Sequence, residues 1–300
     1  LVAWWTFDDP ENPGADASGN ELTLKSMTNT QNNIVCEKWS WPNRFKTTGG
    51  AVYFDGDNSN CRCLILADPS KTSILPHGNA SFTVALWIAT ESTCNDQAQL
   101  VGWGVPKVGG QYNGFRYRRN TGEDLKLYHF FWGNDASSDP VPEGFRSANP
   151  PTGWHHVAVT CDTASGTRTF YIDGRQHGQS SRSISANVQP QNLQIGWGEN
   201  GAGNMYKGWM DDIMIFDKAL SADEIRAVMQ GVALEEPTGG MAAATASGTP
   251  IECPPPSTSE TVGLLIPAMS SAMARPRPCP APVTIAVFPV SLPMMIPSCF

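Results

Sequence analysis

Two histidines stand side by side at His155-His156 and two acids at Glu123-Asp124, so the sequence contains groups that can move protons. A hydrolase of the serine type holds its nucleophile in a Gly-x-Ser-x-Gly turn, and the sequence has no such turn. A glycosidase needs two carboxyl groups that flank the scissile bond. Glu123 and Asp124 are neighbours, so in a strand their side chains point to opposite faces. The sequence therefore predicts a protein that is not an enzyme.

A short acidic stretch, Asp55-Gly-Asp57, has the residue types that hold a hard cation. Calcium takes about six to eight oxygen ligands from carboxylates, carbonyls and water. The strict spacing of a calcium-binding loop is missing here. Asp and Gly are also ordinary turn residues. Asp55 and Asp57 are therefore calcium ligands in one interpretation and members of a solvated turn in the other.

The irregular middle of the chain carries aromatic and polar residues of the kind that bind sugars. Aromatic rings stack on the C–H faces of a sugar, and Asn, Asp or Arg side chains bond to its hydroxyls. In Phe115-Arg-Tyr-Arg118, strand alternation puts the two rings on one face and the two arginines on the other. Each aromatic residue taken alone is also a core candidate, because rings in a β-sandwich mostly fill the core. The candidate glycan-binding residues are Trp103, Tyr112, Arg116, Trp132, Asn134 and Asp135.

Strand patterns dominate the chain up to Phe216. The alternation over residues 81–88 predicts one face made of Phe82, Val84, Leu86 and Ile88. Thr167–Ile172 followed by Asp173-Gly174 predicts a β-hairpin, because Asp-Gly supplies the positive φ angles of a tight turn. Residues 91–151 are poorly patterned, and we expect long loops to interrupt the strands there.

One helix is predicted near the end of the patterned region. Ser221 and Glu224 have the spacing of a capping box, and Gly231 is placed to end the helix. Many strands and one short helix predict an all-β fold over residues 1–232, an antiparallel two-sheet β-sandwich of the jelly-roll kind. Residues 233–300 hold 13 of the 24 prolines and few charges, which predicts a disordered Pro-rich tail.

Six short strand-and-turn phrases follow one another in a fixed order. They are Gly50–Gly56, Phe82–Trp87, Gly153–Thr160, Tyr171–Gly174, Leu193–Gly196 and Gly208–Ile225. Together they resemble laminin-G-like domains of the concanavalin A-like lectin/glucanase superfamily, over residues 1 to about 232. The resemblance implies two sheets packed face to face, in a protein that is extracellular or lies at the cell surface. It also implies binding of glycans or proteins, often with calcium.

The resemblance further implies a structural calcium ion at a junction of three strands. Its ligands here would be Asp8, the carbonyl of Gly50, and Asp211. The alternative interpretation is that Asp211 caps a turn or pairs with a Lys or Arg. Side-chain oxygens alone fall short of a full calcium shell at this position.

Composition limits the partners further. The net charge is −8 and no Lys/Arg cluster stands on one face, which argues against a nucleic-acid partner. Residues 281–300 are apolar, but their prolines would break a membrane-spanning helix. Five of the eight cysteines precede residue 232, and their spacing matches no zinc site. They form disulfide bonds in an oxidising compartment or remain buried free thiols.

The sequence thus predicts a non-catalytic extracellular binding or adhesion module that recognises glycans or glycosylated surfaces with calcium. Two alternatives remain open. One is a structural subunit that assembles with protein partners through its sheet edges and loops. The other is the accessory domain of a larger secreted glycoside hydrolase.

Overall fold

The computed structural model describes residues 1–9, 11–27, 36–38, 49–57, 63–148, 153–198 and 204–231. Only the backbone is described for residues 36–38. All these residues lie in the compact unit Leu1–Gly239, and the second unit, Gly240–Phe300, lies outside the described residues. The predicted tail from residue 233 onwards is therefore not described either, and its boundary stays a prediction.

The described residues form sixteen strands, one 3-10 helix (Pro69–Ile74) and one α-helix, α1 (Ala222–Met229). In chain order the strands are β1 (Ala3–Trp5), β2 (Leu24–Ser26), β3 (Cys36–Lys38), β4 (Gly50–Asp55), β5 (Leu64–Leu66), β6 (Phe82–Glu91), β7 (Gln99–Gly104), β8 (Tyr112–Arg118), β9 (Lys126–Phe130), β10 (Ala136–Pro140), β11 (Arg146–Ser147), β12 (His155–Asp162), β13 (Thr167–Ile172), β14 (Arg175–Ser181), β15 (Gln194–Ile195) and β16 (Lys207–Phe216).

The strands make two sheets, as predicted. Sheet A has the order β14-β13-β12-β6-β16-β4-β3, with β1 paired to β16 and β11 paired to β6. Sheet B has the order β10-β9-β8-β7-β15-β5-β2. All pairs are antiparallel except the short β11–β6 pair. The main hydrophobic core lies between the inner faces of the two sheets.

Strand β6 is the centre of sheet A, and all of its residues are buried. The predicted face of Phe82, Val84, Leu86 and Ile88 is confirmed, since all four lie in the main core. The opposite face is covered as well. Ala85 packs in a cluster with Ile225 and Val228 of α1. Trp87 and Ala89 pack in a second cluster with Trp154 and Trp209.

The hairpin and the helix are confirmed. Asp173 and Gly174 have φ angles of 50° and 71°, and they connect β13 to β14. Ser221 caps α1 through a complete capping box with Glu224. Gly231 follows the helix with a φ of 70°. No helix in the described part of the chain is long and apolar enough to cross a membrane.

Residues 91–151 contain β7 to β11, separated by connections of five to seven residues, so the loops that interrupt the strands are shorter than predicted. The alternation of these strands is concealed on the outer face of sheet B, where buried glycines and polar residues lie among the rings. Gly102 and Gly114 lie there without side chains, next to the buried polar residues Gln99 and Arg116. A pattern search based on hydrophobicity reads such positions as loop.

Two described cysteines are buried free thiols, Cys94 and Cys161. Burial raises the pKa of Cys94 to about 11 and that of Cys161 to about 12. Both groups therefore stay protonated at neutral pH, as expected of structural thiols. Cys61 lies outside the described residues, so its participation in a disulfide bond stays a prediction.

His156 is buried on the outer face of sheet A, with 1 % of its surface exposed. Its ring packs edge-on against Trp87, with the ring centroids 5.5 Å apart. Burial lowers the pKa of His156 to about 4, although Asp173 acts in the opposite direction. The fold therefore holds this imidazole neutral.

We predict that His156 contributes to acid unfolding. Because its pKa is lower in the folded state, its contribution is complete above pH 6.5 and is lost as the pH falls towards 4. The loss amounts to about 3 kcal/mol of the unfolding free energy. Urea unfolding of His156→Leu between pH 7 and 4 should show a correspondingly shallower pH dependence. His77→Gln, at an exposed position, is the control. A slope equal to that of the wild type in His156→Leu would contradict this assignment.

Candidate functional site

A group of half-buried side chains lies on the outer face of sheet B, where β8 and β9 run side by side. The alternation of β9 buries Leu127 in the core and turns Tyr128 outward. It continues past the end of the strand, so that Trp132 lies on the same face as Tyr128. We call Arg118, Tyr128, Trp132 and Asp135 the sheet B patch.

The polar groups of the patch form a directed chain of hydrogen bonds. Arg118 Nη1 donates to the hydroxyl of Tyr128, which donates to Asp135 Oδ2 over 2.7 Å. Burial and the acceptor Asp135 raise the pKa of Tyr128 to about 12, so its hydroxyl keeps its proton. Arg118 and Asp135 also form an ion pair at 3.9 Å. Arginine, phenol and carboxylate are thus held in one orientation.

Two polar atoms of the patch have unused hydrogen-bonding capacity. Among the described residues, neither Trp132 Nε1 nor Asp135 Oδ1 has a hydrogen-bond partner, and both atoms are buried. A buried polar group without a partner costs free energy. One of these atoms is a donor and the other an acceptor.

A buried aromatic layer supports the patch from below. Phe130 packs against Tyr112 with ring centroids 5.6 Å apart and against Trp132 at 5.9 Å. The guanidinium of Arg116 lies 4.3 Å from the centroid of Phe130. Tyr112 is fully buried and Arg116 is 9 % exposed. Both predicted residues therefore belong to the supporting layer rather than to the accessible surface.

Two other predicted residues are held by internal bonds. Trp103 lies in the core between the sheets, where its indole donates to the carbonyl of Pro76 over 2.8 Å. This places it away from the patch, and we do not include it in the site. Asn134 accepts from Arg168 and donates to the carbonyl of Ser183 over 2.6 Å. Asn134 thus fixes the loop that carries Trp132 and Asp135.

The sequence analysis missed Tyr128 and did not single out Arg118. The signal was present, because Tyr128, Phe130 and Trp132 follow one another at a spacing of two residues. Arg116 and Arg118 do share one face of β8, as predicted, while Phe115 is in the core. What the sequence lacked was the pairing of β8 with β9, which places the arginines beside the rings.

The predicted calcium junction brings together the expected chain segments. Gly50 N–H donates to Asp8 Oδ1 over 2.9 Å. A Cβ atom on Gly50 would lie 1.8 Å from the carbonyl oxygen of Phe7, so the close approach requires glycine. Strand β16 pairs with β4 up to Met210 and with β1 from Ile213 onwards. Asp211 is therefore located between the two pairings.

Asp211 and Asp212 form a bulge in β16. Both are buried, and Asp212 has a φ of 44°. The backbone N–H of Asp212 donates to Asp211 Oδ1 over 2.7 Å. Trp4 Nε1 donates to Asp212 Oδ1 over 3.0 Å. The carboxylates thus bond to the chain around the bulge.

The second predicted calcium position, Asp55 and Asp57, forms a turn. The backbone N–H of Asp57 donates to Asp55 Oδ1 over 3.0 Å, which is the bond of an Asx turn. In the part of the chain that the structure describes, no three His, Cys, Asp or Glu side chains gather in a way that could hold a metal ion. Calcium binding therefore stays a prediction.

The comparisons with known proteins agree with this architecture. A laminin G family model, described as concanavalin A-like lectin/glucanases superfamily, matches residues 66–226, just over half of the chain. The chain belongs to this superfamily. A comparison with curated proteins finds no match.

Solved structures of similar fold have little sequence identity with this chain. Domain 4 of AbnA, an extracellular arabinanase of family GH43 from Geobacillus stearothermophilus, is 16 % identical with a TM-score of 0.52. The match covers 77 % of this chain and 98 % of that one, and that structure is a complex with arabinotriose. The binding domain of Paraclostridial Mosquitocidal Protein 1 is 14 % identical with a TM-score of 0.51. That match covers 77 % of this chain and 52 % of the toxin domain. At such identities the likeness establishes the fold alone.

We predict that Gly114 is required for the supporting layer. A Cβ atom at this position would lie 2.3 Å from the ring of Phe130 and 2.9 Å from that of Tyr112. Gly114→Ala should therefore lower the unfolding free energy by about 1–3 kcal/mol through overpacking. Chemical denaturation measures this. In the control Gly153→Ala, the new Cβ meets only His155 Nε2 at 3.9 Å. Equal stability of the two variants would show that the ring positions are wrong.

Proposed function

We propose that the chain is a non-catalytic binding module that recognises glycans at the sheet B patch. The observation that carries the proposal is the chain of hydrogen bonds from Arg118 through Tyr128 to Asp135, on the same surface as the half-buried ring of Trp132. Arg118 and Asp135 offer a donor and an acceptor whose side chains are partly exposed.

Sugars match this surface chemically. Their C–H faces pack on an aromatic ring, and their hydroxyl groups both donate and accept hydrogen bonds. Arg118 and Asp135 are 31 % and 36 % exposed at their side chains, so both can be reached from solvent. The hydrogen bonds through Tyr128 hold these two groups in place before a ligand arrives, which lowers the entropy cost of binding.

Membership of the superfamily supports a binding role and an extracellular setting. The arabinanase domain is part of an extracellular enzyme and was solved with arabinotriose, and the toxin domain is named a binding domain. We carry these properties to this chain as part of the proposal. Assembly with protein partners and service as an accessory domain of a secreted glycoside hydrolase stay predictions, and the second of these is compatible with glycan binding.

We predict that Trp132→Ala and Arg118→Ala abolish or weaken glycan binding at least about tenfold, since a ring or arginine at the centre of a binding surface contributes about 2 kcal/mol or more. A glycan array identifies the ligands of the wild type, and calorimetry with the best of them gives the affinities of the variants.

Arg175→Ala removes an exposed arginine from β14 of sheet A and is the matched control. It should bind as the wild type does. An array without any ligand would contradict the proposed function. An affinity unchanged in Trp132→Ala would place the binding surface elsewhere.

We also predict that calcium stabilises the fold through Asp8. At a calcium concentration about 100 times Kd, the melting temperature should rise by about 5–10 °C over its value in EDTA. Asp8→Asn should remove the rise, because the amide keeps an acceptor for Gly50 N–H but loses the charge. Asp55→Asn tests the second predicted position. Identical melting curves of the wild type in calcium and EDTA would rule out calcium binding.

A further inference from the structure

Arg168 lies on β13 of sheet A and is completely buried. It pairs in the sheet with Cys161, a residue of the main core. Among the described residues, no carboxylate lies within ion-pair distance of its guanidinium. Burial lowers the pKa of Arg168. A charged group in the interior without an ion pair costs free energy, and the charge of Asp135 offsets only part of that cost.

Both terminal nitrogens of the Arg168 guanidinium donate hydrogen bonds to one residue, Asn134. Nη1 donates to the main-chain oxygen of Asn134 over 2.5 Å, and Nη2 donates to Asn134 Oδ1 over 2.8 Å. A planar guanidinium suits such a two-pronged bond, and a charged donor makes it stronger than a neutral pair. Asn134 belongs to the loop between β9 and β10. Arg168 thus reaches from sheet A to a loop of sheet B.

The loop between β9 and β10 has an unfavourable backbone conformation. Trp132, Gly133 and Asn134 have consecutive positive φ angles of 58°, 113° and 54°. Tryptophan rarely adopts such a conformation, and it persists only where the surroundings enforce it. The described contacts that hold Asn134 at the end of this stretch are the two bonds from Arg168 and its own bond to the carbonyl of Ser183. The loop carries Trp132 and Asp135 to the sheet B patch.

The hydrogen bonds of His129, a second partner of Arg168, have a fixed direction as well. Arg168 Nη1 lies 3.3 Å from His129 Nδ1, and an arginine can only donate. His129 therefore carries its proton on Nε2, which donates to Asn113 Oδ1 over 2.6 Å. Burial and the charge of Arg168 lower the pKa of His129 well below its usual value. The imidazole stays neutral and remains an acceptor for Arg168.

We infer that Arg168 is a positioning residue of the sheet B patch, which it shapes from the opposite sheet through Asn134. This inference rests on the proposed function for its purpose. The structural part stands on the geometry alone, since the described hydrogen bonds of Arg168 go to Asn134 and His129, and Asn134 belongs to the loop that carries Trp132 and Asp135.

The test compares two asparagines at similar backbone angles. Asn134 has a φ of 54° and Asn192 a φ of 56°, and each makes a side-chain bond to the main chain. Glycine adopts these angles without strain, so Asn→Gly removes only the side-chain bonds. The readout is the indole N–H signal of Trp132 in NMR, assigned with Trp132→Phe.

In Asn134→Gly the Trp132 signal should shift, and the amides of the loop should exchange with solvent at least tenfold faster. Asn192→Gly should leave both unchanged. Asn134→Asp keeps the acceptor for Arg168 but loses the bond to Ser183, so it should retain the wild-type signal. A wild-type signal in Asn134→Gly would overturn the inference, and so would a shift as large in Asn134→Asp.

Arg168→Met removes both bonds to Asn134, including the bond to its main-chain oxygen that Asn134→Gly keeps. It should therefore shift the Trp132 signal at least as far as Asn134→Gly does, and the double variant should add nothing to the shift of Arg168→Met. If Arg168→Met does not fold, the Asn134 variants decide the matter. Because the NMR readout needs no ligand, its outcome is independent of the glycan array. An empty array with a shifted Trp132 signal contradicts the proposed function only. For any glycan that the array finds, Asn134→Gly should weaken binding at least tenfold.

Discussion

Burial of β6 on both sides is the constraint that organises the molecule. A strand whose ten residues are all buried must be covered twice, and each covering layer uses up a face of the protein. The inner face of sheet A is covered by sheet B, and the outer face by α1 and by an aromatic cluster. Sheet B has no corresponding helix among the described residues. Its outer face is therefore where ring and polar side chains can remain partly accessible.

This division explains why the two sheets differ in composition. The outer face of sheet A packs Trp87 against His156, whose neutral ring is tolerated in the interior. The outer face of sheet B instead combines glycines with rings and arginines. Gly114 leaves room for the rings of Phe130 and Tyr112, and Arg116 covers Phe130. The result is a rigid base on which Tyr128 and Trp132 are only half buried.

Local signals in the sequence predicted the elements whose stability is local. The Asp173-Gly174 turn and the capping box of Ser221 depend on neighbouring residues, and both were found. The site was harder to predict because it depends on strand pairing. Arg116 was placed on the correct face, but the burial of Arg116 and Tyr112 was not predicted, since it depends on the ring of Phe130 from β9 that packs against both. The sequence around Trp103 does not distinguish this residue from a binding residue. Only the packing of sheet A against it shows that it belongs to the core.

The buried thiols have a practical consequence. Cys94 and Cys161 both lie in the main core, Cys94 next to the start of β16 and Cys161 in β12, and both are protonated at neutral pH. An alkylating reagent reacts with thiolates, so it reaches these sulfurs only when the surrounding structure opens. The rate of labelling at each cysteine then reports the opening of its own region. The chain thus carries two internal probes of the core, one beside the start of β16 and one in β12.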